Sequence, residues 1–157
     1  MSDILEALRP ALAAWRGEVP LSAEPIPGGA NAEVFRVRTG AGAVYCAKRY
    51  RRREGDPVDR LAAEFGALSF LWARGVRQVP EPVGALAAEG IGVYGFVEGR
   101  RIAAGEIDGP LLDRMAAFFL LLHSLRVAPG AAALPVAREA CFSLDAHREL
   151  IAGRLRR

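Results

Sequence analysis

The sequence predicts an α+β domain, a five-stranded antiparallel sheet with one packed helix, followed by further helices. Two observations carry this. Short segments with strand character come in pairs joined by tight glycine turns, and hairpins of that kind pair strands antiparallel. A single helical segment interrupts the strands, so the repeated helical crossovers of a doubly wound sheet are missing. The apolar share, 52% of 157 residues, is enough to bury a core.

Taken in order, residues 3 to 16 predict a short amphipathic helix, with Ile4, Leu5, Leu8, Leu12 and Trp15 at helical spacing. The segment from Leu21 to Pro27 reads as a strand that ends in the turn Pro27-Gly28-Gly29. Residues 33 to 38 alternate polar and apolar, Gly40-Ala41-Gly42 is a tight connection, and residues 43 to 50 form the return strand. After a basic linker, Asp56-Pro57 reads as a helix start, with the helix running to about Arg74 and stopping at Gly75. Strands follow near Val83 to Ala87 and from Ile91 to Val97, joined at Glu89-Gly90. Pro110 opens a long helix ending near Leu125, residues 127 to 135 read as a loop, and Ser143 caps a last helix still in progress at Arg157.

The bulk charge is unremarkable, with 21 basic and 18 acidic side chains and a net charge of +3. Its make-up is not. Twenty of the basic residues are arginine and one, Lys48, is lysine, beside 29 alanines and a single asparagine, Asn31. Such a bias reads as codon composition, which empties individual arginines of information and adds it to the surviving lysine. The longest apolar run, Met115 to Leu122, is eight residues, against the roughly 20 needed to span a bilayer. The N-terminus lacks a basic-then-apolar leader pattern. Cys46 and Cys141 form no metal-ligand spacing, so the expectation is a reduced cytoplasmic protein without a membrane partner.

Three features could carry chemistry. Gly28-Gly29-Ala30-Asn31 sits between two strands, where it is either a hairpin turn or a set of backbone N–H groups cradling an anion. It is neither a Walker A loop nor a Rossmann fingerprint, because a strand follows instead of a helix. Lys48 alternates in phase with Val44 and Cys46, so it either snorkels to water or meets a partner on an apolar face. A compact ammonium is not interchangeable with a guanidinium, which supports the second reading. Glu64 lies three residues after Leu61 and four before Leu68, within or beside the stripe of Leu61, Phe65, Leu68, Leu71 and Trp72. That leaves it either a solvated edge or a partner for a buried charge.

A glycine-rich loop, a lysine on the third strand and a glutamate on the next helix together resemble the small lobe of the protein-kinase-like fold. Within it, the sequence is similar to the aminoglycoside phosphotransferase and choline kinase-like family. The resemblance rests on Gly28 to Asn31, Val34-Phe35-Arg36-Val37, Tyr45-Cys46-Ala47-Lys48, Ala63-Glu64 through Leu71, Val79-Pro80-Glu81-Pro82, Phe96-Val97-Glu98-Gly99 and Met115 through His123. It covers residues 24 to 126. It implies a nucleotide-binding small lobe over residues 1–99, then a hinge and the start of an incomplete helical lobe over residues 100–157. It further implies that Gly28, Gly29, Ala30 and Asn31 cover the phosphates of ATP or GTP. Lys48 would contact the α and β phosphates, oriented by Glu64. Tyr94 would stand at the back of the base pocket, and Gly95, Phe96 and Val97 would form the hinge, ended by Gly99. His123 falls on the family's leucine-histidine pair and reads as structural.

The family's H-x-D-x-x-x-x-N segment and its later metal-binding aspartate do not occur here, since no asparagine follows Asn31. Asp145-Ala146-His147 has the reverse order. The implied protein is therefore the nucleotide-binding lobe of an ATP-dependent small-molecule phosphotransferase, inactive as this chain, with no catalytic or metal-binding residue of its own. Mg2+ and a small-molecule hydroxyl acceptor belong to a full-length form. Exposed apolar surface on the helix Leu111 to Leu125 is expected, and with it self-association. Two other classes compete: a non-catalytic scaffold that keeps the lobe for contacts, and a nucleic-acid binder using Lys48-Arg49-Tyr50-Arg51-Arg52-Arg53. The small net charge weighs against the second.

Overall fold

Residues 2–27, 31–51, 59–135 and 143–155 are described by the computed structural model. Helix α1 (Ser2–Arg16) leads into strands β1 (Pro20–Ile26), β2 (Ala32–Thr39) and β3 (Val44–Tyr50). Helix α2 (Arg60–Trp72) precedes β4 (Pro82–Leu86) and β5 (Ile91–Gly95), and helices α3 (Gly109–Ser124) and α4 (Leu144–Leu155) follow. The sheet has the order β1-β2-β3-β5-β4 with every neighbouring pair antiparallel. This is the expected α+β architecture.

Strand alternation divides the sheet into two faces. On one, Phe35 and Val37 of β2, Tyr45 and Ala47 of β3, and Ile91 and Val93 of β5 form a core with Ile4, Leu8 and Leu12 of α1. Each of those three helix side chains, nearly or fully buried, contributes about 2 kcal/mol by leaving water. Trp15 at the end of α1 packs so closely on β4 that only glycine fits beneath its ring, at Gly84. The other face carries Val34, Arg36, Cys46, Lys48, Tyr50, Gly92 and Tyr94, and it meets α2 through Leu61. The back of the sheet is thus filled by α1, which leaves the front for a site.

Several boundaries differ from expectation. Asp56 and Pro57 lie outside the described residues, and the N-cap of α2 is Asp59, whose Oδ1 accepts from the Ala62 amide at 2.9 Å. The helix ends at Trp72, two residues early, with Gly75 at φ 79° turning the chain away as expected. β5 stops at Gly95, two residues short of the expected Val97, and the Phe96 amide adds one last bond to β3 by donating to the Val44 carbonyl at 3.3 Å. The loop after α3 is built from two short 3-10 turns, Leu125–Val127 and Ala131–Ala133, hinged at Gly130 with φ 85°. Cys141 falls outside the described residues.

Helix α3 begins as predicted, with Asp108 accepting from the Leu111 amide at 2.8 Å and proline in the first turn. None of its residues is buried. Leu112, Met115 and Phe119, one face at helical spacing, are exposed together with Leu120. Among the described residues no helix is long and apolar enough to cross a membrane.

Candidate functional site

Lys48 and Glu64 are brought together by two short-range rules. Alternation along β3 turns Lys48 to the front of the sheet, in phase with Cys46 and Tyr50. On α2, Glu64 follows Leu61 by three residues and therefore shares its sheet-facing side. The Lys48 ammonium forms an ion pair with Glu64 Oε1, the two side chains being 30% and 36% exposed. Lys48 Nζ also stands 5.5 Å from the centroid of the Tyr94 ring, within reach of a cation–π attraction.

The second carboxylate oxygen has its own partner. Tyr50 Oη donates to Glu64 Oε2 at 2.7 Å and lies 3.0 Å from Tyr94 Oη. A phenol has one proton to give. Since the Tyr50 proton goes to the carboxylate, the bond between the two hydroxyls is donated by Tyr94. The chain of contacts therefore runs from Tyr94 to Tyr50 to Glu64 to Lys48. Phe65 braces Tyr94 with ring centroids 6.0 Å apart. Gly92 makes room for it: a Cβ there would fall 2.5 Å from Tyr94 Oη and 3.0 Å from Leu61 Cδ1.

Burial sets the electrostatics of this corner. Tyr94 is 1% exposed, and desolvation pushes its phenol up to about 12. Tyr50 is pushed up further, first by burial, with the hydrogen bond it donates to the Glu64 carboxylate adding to the shift. Burial also raises the Cys46 thiol, opposed by the Lys48 charge. Both phenols stay protonated at neutral pH and act as fixed donors.

Of the expected site residues, Gly28, Gly29 and Ala30 lie outside the described residues. Asn31 is exposed and its carbonyl accepts from the Arg51 amide at 3.2 Å, which closes the β2–β3 ladder below that loop. Val34, the cross-strand partner of Lys48, lines a cavity of about 300 Å³ with Ile26, Ala32, Phe35 and Arg51. At the other end of the front face, the Gly95 amide donates to the Glu81 carbonyl at 2.8 Å and the Phe96 amide to Val44. Of the three expected hinge amides, two are thus taken up by the fold, and Val97 lies in the exposed segment beyond them. His123 is exposed on α3 beside Arg126 and belongs to no buried network.

Two residues of this face were missed by sequence reasoning. Tyr50 was readable in principle, being two residues from Lys48 and therefore on its side of β3. Arg36 carried no signal among 20 arginines. Its guanidinium stacks on the Phe96 ring at 4.4 Å and pairs with Glu98, which fastens residues 96–98 to β2. The basic run Lys48 to Arg51 does not form one surface. Lys48 and Tyr50 turn toward α2, whereas Arg49 turns to the opposite face and pairs with Glu33 and Asp3 at 2.8 Å. Tyr50 therefore offers no ring for a base to stack on.

Chemically, the corner presents one ammonium whose three donors are only partly used by Glu64, an arrangement suited to an anion. Among the described residues no three His, Cys, Asp or Glu side chains converge as a metal site. None of the curated proteins matches the chain. The family model described as the phosphotransferase enzyme family matches residues 22–156, which begins inside β1 and takes in every later element through α4. The chain therefore belongs to the phosphotransferase enzyme family.

Proposed function

We propose that this chain binds the nucleotide for an ATP-dependent small-molecule phosphotransferase and transfers no phosphate by itself. The observation that carries the reading is the Lys48–Glu64 ion pair at the front of the sheet, in a chain of this family. The carboxylate holds the ammonium in place and leaves its remaining donors for phosphate oxygens of ATP or GTP. Gly28 to Asn31 supply backbone amides over those phosphates, and Val97 supplies the hinge amide for the base. The residues present fit the nucleotide.

They do not fit its metal. Mg2+ would supply charge neutralisation for the phosphates, and the family's asparagine ligand has no counterpart in this sequence, where no asparagine follows Asn31. Mg2+ and the hydroxyl acceptor belong to a form of the protein that supplies those groups, working in a reduced cytoplasmic setting.

Calorimetric titration with a non-hydrolysable ATP analogue tests this reading. Saturable binding to the wild type, weakened about tenfold or more in Lys48→Ala, is the expected result. A folded wild type that binds neither ATP nor GTP analogue contradicts it. The exposed stripe of Leu112, Met115 and Phe119 favours a second role in the same chain, association with another copy through α3.

A further inference from the structure

We propose that Tyr50 is the positioning residue that sets Glu64 for its ion pair with Lys48, a role that rests on the nucleotide-site reading above. Glu64 sits on a helix surface with about a third of its side chain exposed, and its nearest covalent anchor is a flexible stem. An ion pair at that exposure is weak by itself, because water and rotamer freedom compete with it. Tyr50 changes the situation. Its ring is buried at 9% exposure on a strand whose backbone is held on both sides, by Asn31–Arg51 and by the Tyr50 amide donating to the Gly90 carbonyl at 2.9 Å. A rigid donor from the sheet thus takes one oxygen of the carboxylate and aims the other at Lys48.

The proton of Tyr50 is itself directed. Tyr94 donates to the Tyr50 oxygen, so the only proton left on Tyr50 points at Glu64. Tyr94 in turn is fixed by Phe65 and by the space that Gly92 leaves. The network ties the orientation of α2 to β3 and β5 through hydroxyl groups, and the ammonium geometry of Lys48 follows from it. Such a chain is worth more than its separate bonds when every member is satisfied.

Because Lys48 is the single lysine of the chain, isotopic labelling of lysine gives an ammonium signal from this site alone. In Tyr50→Phe, which keeps the ring and its packing, the Lys48 signal is expected to shift toward that of Glu64→Gln. Affinity for a non-hydrolysable ATP analogue should fall about three- to tenfold. The Tyr50→Phe/Glu64→Gln double variant should match Glu64→Gln alone, since both remove the same restraint. A Tyr50→Phe signal and affinity equal to wild type, with Glu64→Gln changing both, overturns the proposal. If the wild type binds no nucleotide, the nucleotide reading fails separately and the Lys48 signal still decides on Tyr50. Should Tyr50→Phe fail to fold, Tyr94→Phe replaces it: an intermediate shift of the Lys48 signal supports the role, and an unchanged signal refutes it.

Discussion

The hydroxyl of Tyr50 lies 2.7 Å from Glu64 Oε2 while Lys48 holds Oε1 of the same carboxylate. One strand, β3, therefore provides both partners of a residue on α2, two positions apart on one side of the pleat. The ion pair that defines the front of the sheet is a three-residue arrangement. Its consequences can be tested one group at a time.

Charge shape at position 48 is the first. A guanidinium is planar and bulkier than an ammonium, so Lys48→Arg should keep the pairing with Glu64 and still lose about tenfold or more in ATP-analogue affinity. Calorimetry on the two proteins measures it. Wild-type affinity in Lys48→Arg would show that a positive charge alone suffices.

Gly92→Ala probes the space behind the network. The new Cβ would meet Tyr94 Oη at 2.5 Å, and the ring, 1% exposed, has no free direction to move. The substitution should cost about 1–3 kcal/mol in urea unfolding and break the bond between Tyr94 and Tyr50.

At the back of the sheet, Gly84→Ala should undock α1. A Cβ on Gly84 would stand 2.5 Å from three carbons of the Trp15 indole. A loss of about 1–3 kcal/mol with greater solvent exposure of tryptophan fluorescence is expected. Nucleotide affinity should change little, because Trp15 packs on the face opposite Lys48.

All three tyrosines have raised phenols. The folded protein therefore holds more protons than the unfolded chain above the ordinary phenol range, and stability falls as pH rises there. For Tyr94 the contribution is intact below pH about 10 and is lost as pH climbs through about 12. Phenolate absorbance at pH 10 should be nearly absent in the folded protein and about half developed in urea, where the phenols titrate near 10. Ordinary titration of all three phenols in the folded protein would contradict the burial described for this corner.

The exposed stripe of α3 carries the last prediction. Phe119, 62% exposed, and its neighbours Leu112 and Met115 form an apolar surface without cover among the described residues. Sedimentation velocity should show concentration-dependent association that Phe119→Asp reduces. A monomer at every concentration would leave this face without the role proposed for it.

Much of this was legible in the sequence, for identifiable reasons. The β2–β3 and β4–β5 hairpins announced themselves through glycine turns between alternating segments, and the lysine stood out because composition had removed all others. Glu64 was readable only as one of two alternatives, since a helical wheel does not say how deep the neighbouring sheet lies. Tyr50 passed unnoticed because its partner comes from another element, and no local pattern announces a tertiary hydrogen bond. The start of α2 was misjudged where Asp56 and Asp59 both look like N-caps, three residues apart. The end of β5 was misjudged because Phe96 and Val97 continue an apolar run, while the strand ends at Gly95 and residues 96–98 are held instead by Arg36.

The central claim is that Lys48, held by Glu64, receives nucleotide phosphate. Its most direct test follows the isotopically labelled ammonium of that single lysine while a non-hydrolysable ATP analogue is added. The account predicts a saturable shift in the wild type that weakens in Glu64→Gln and is not produced by adenosine. A Lys48 signal that stays in place at saturating nucleotide would contradict it.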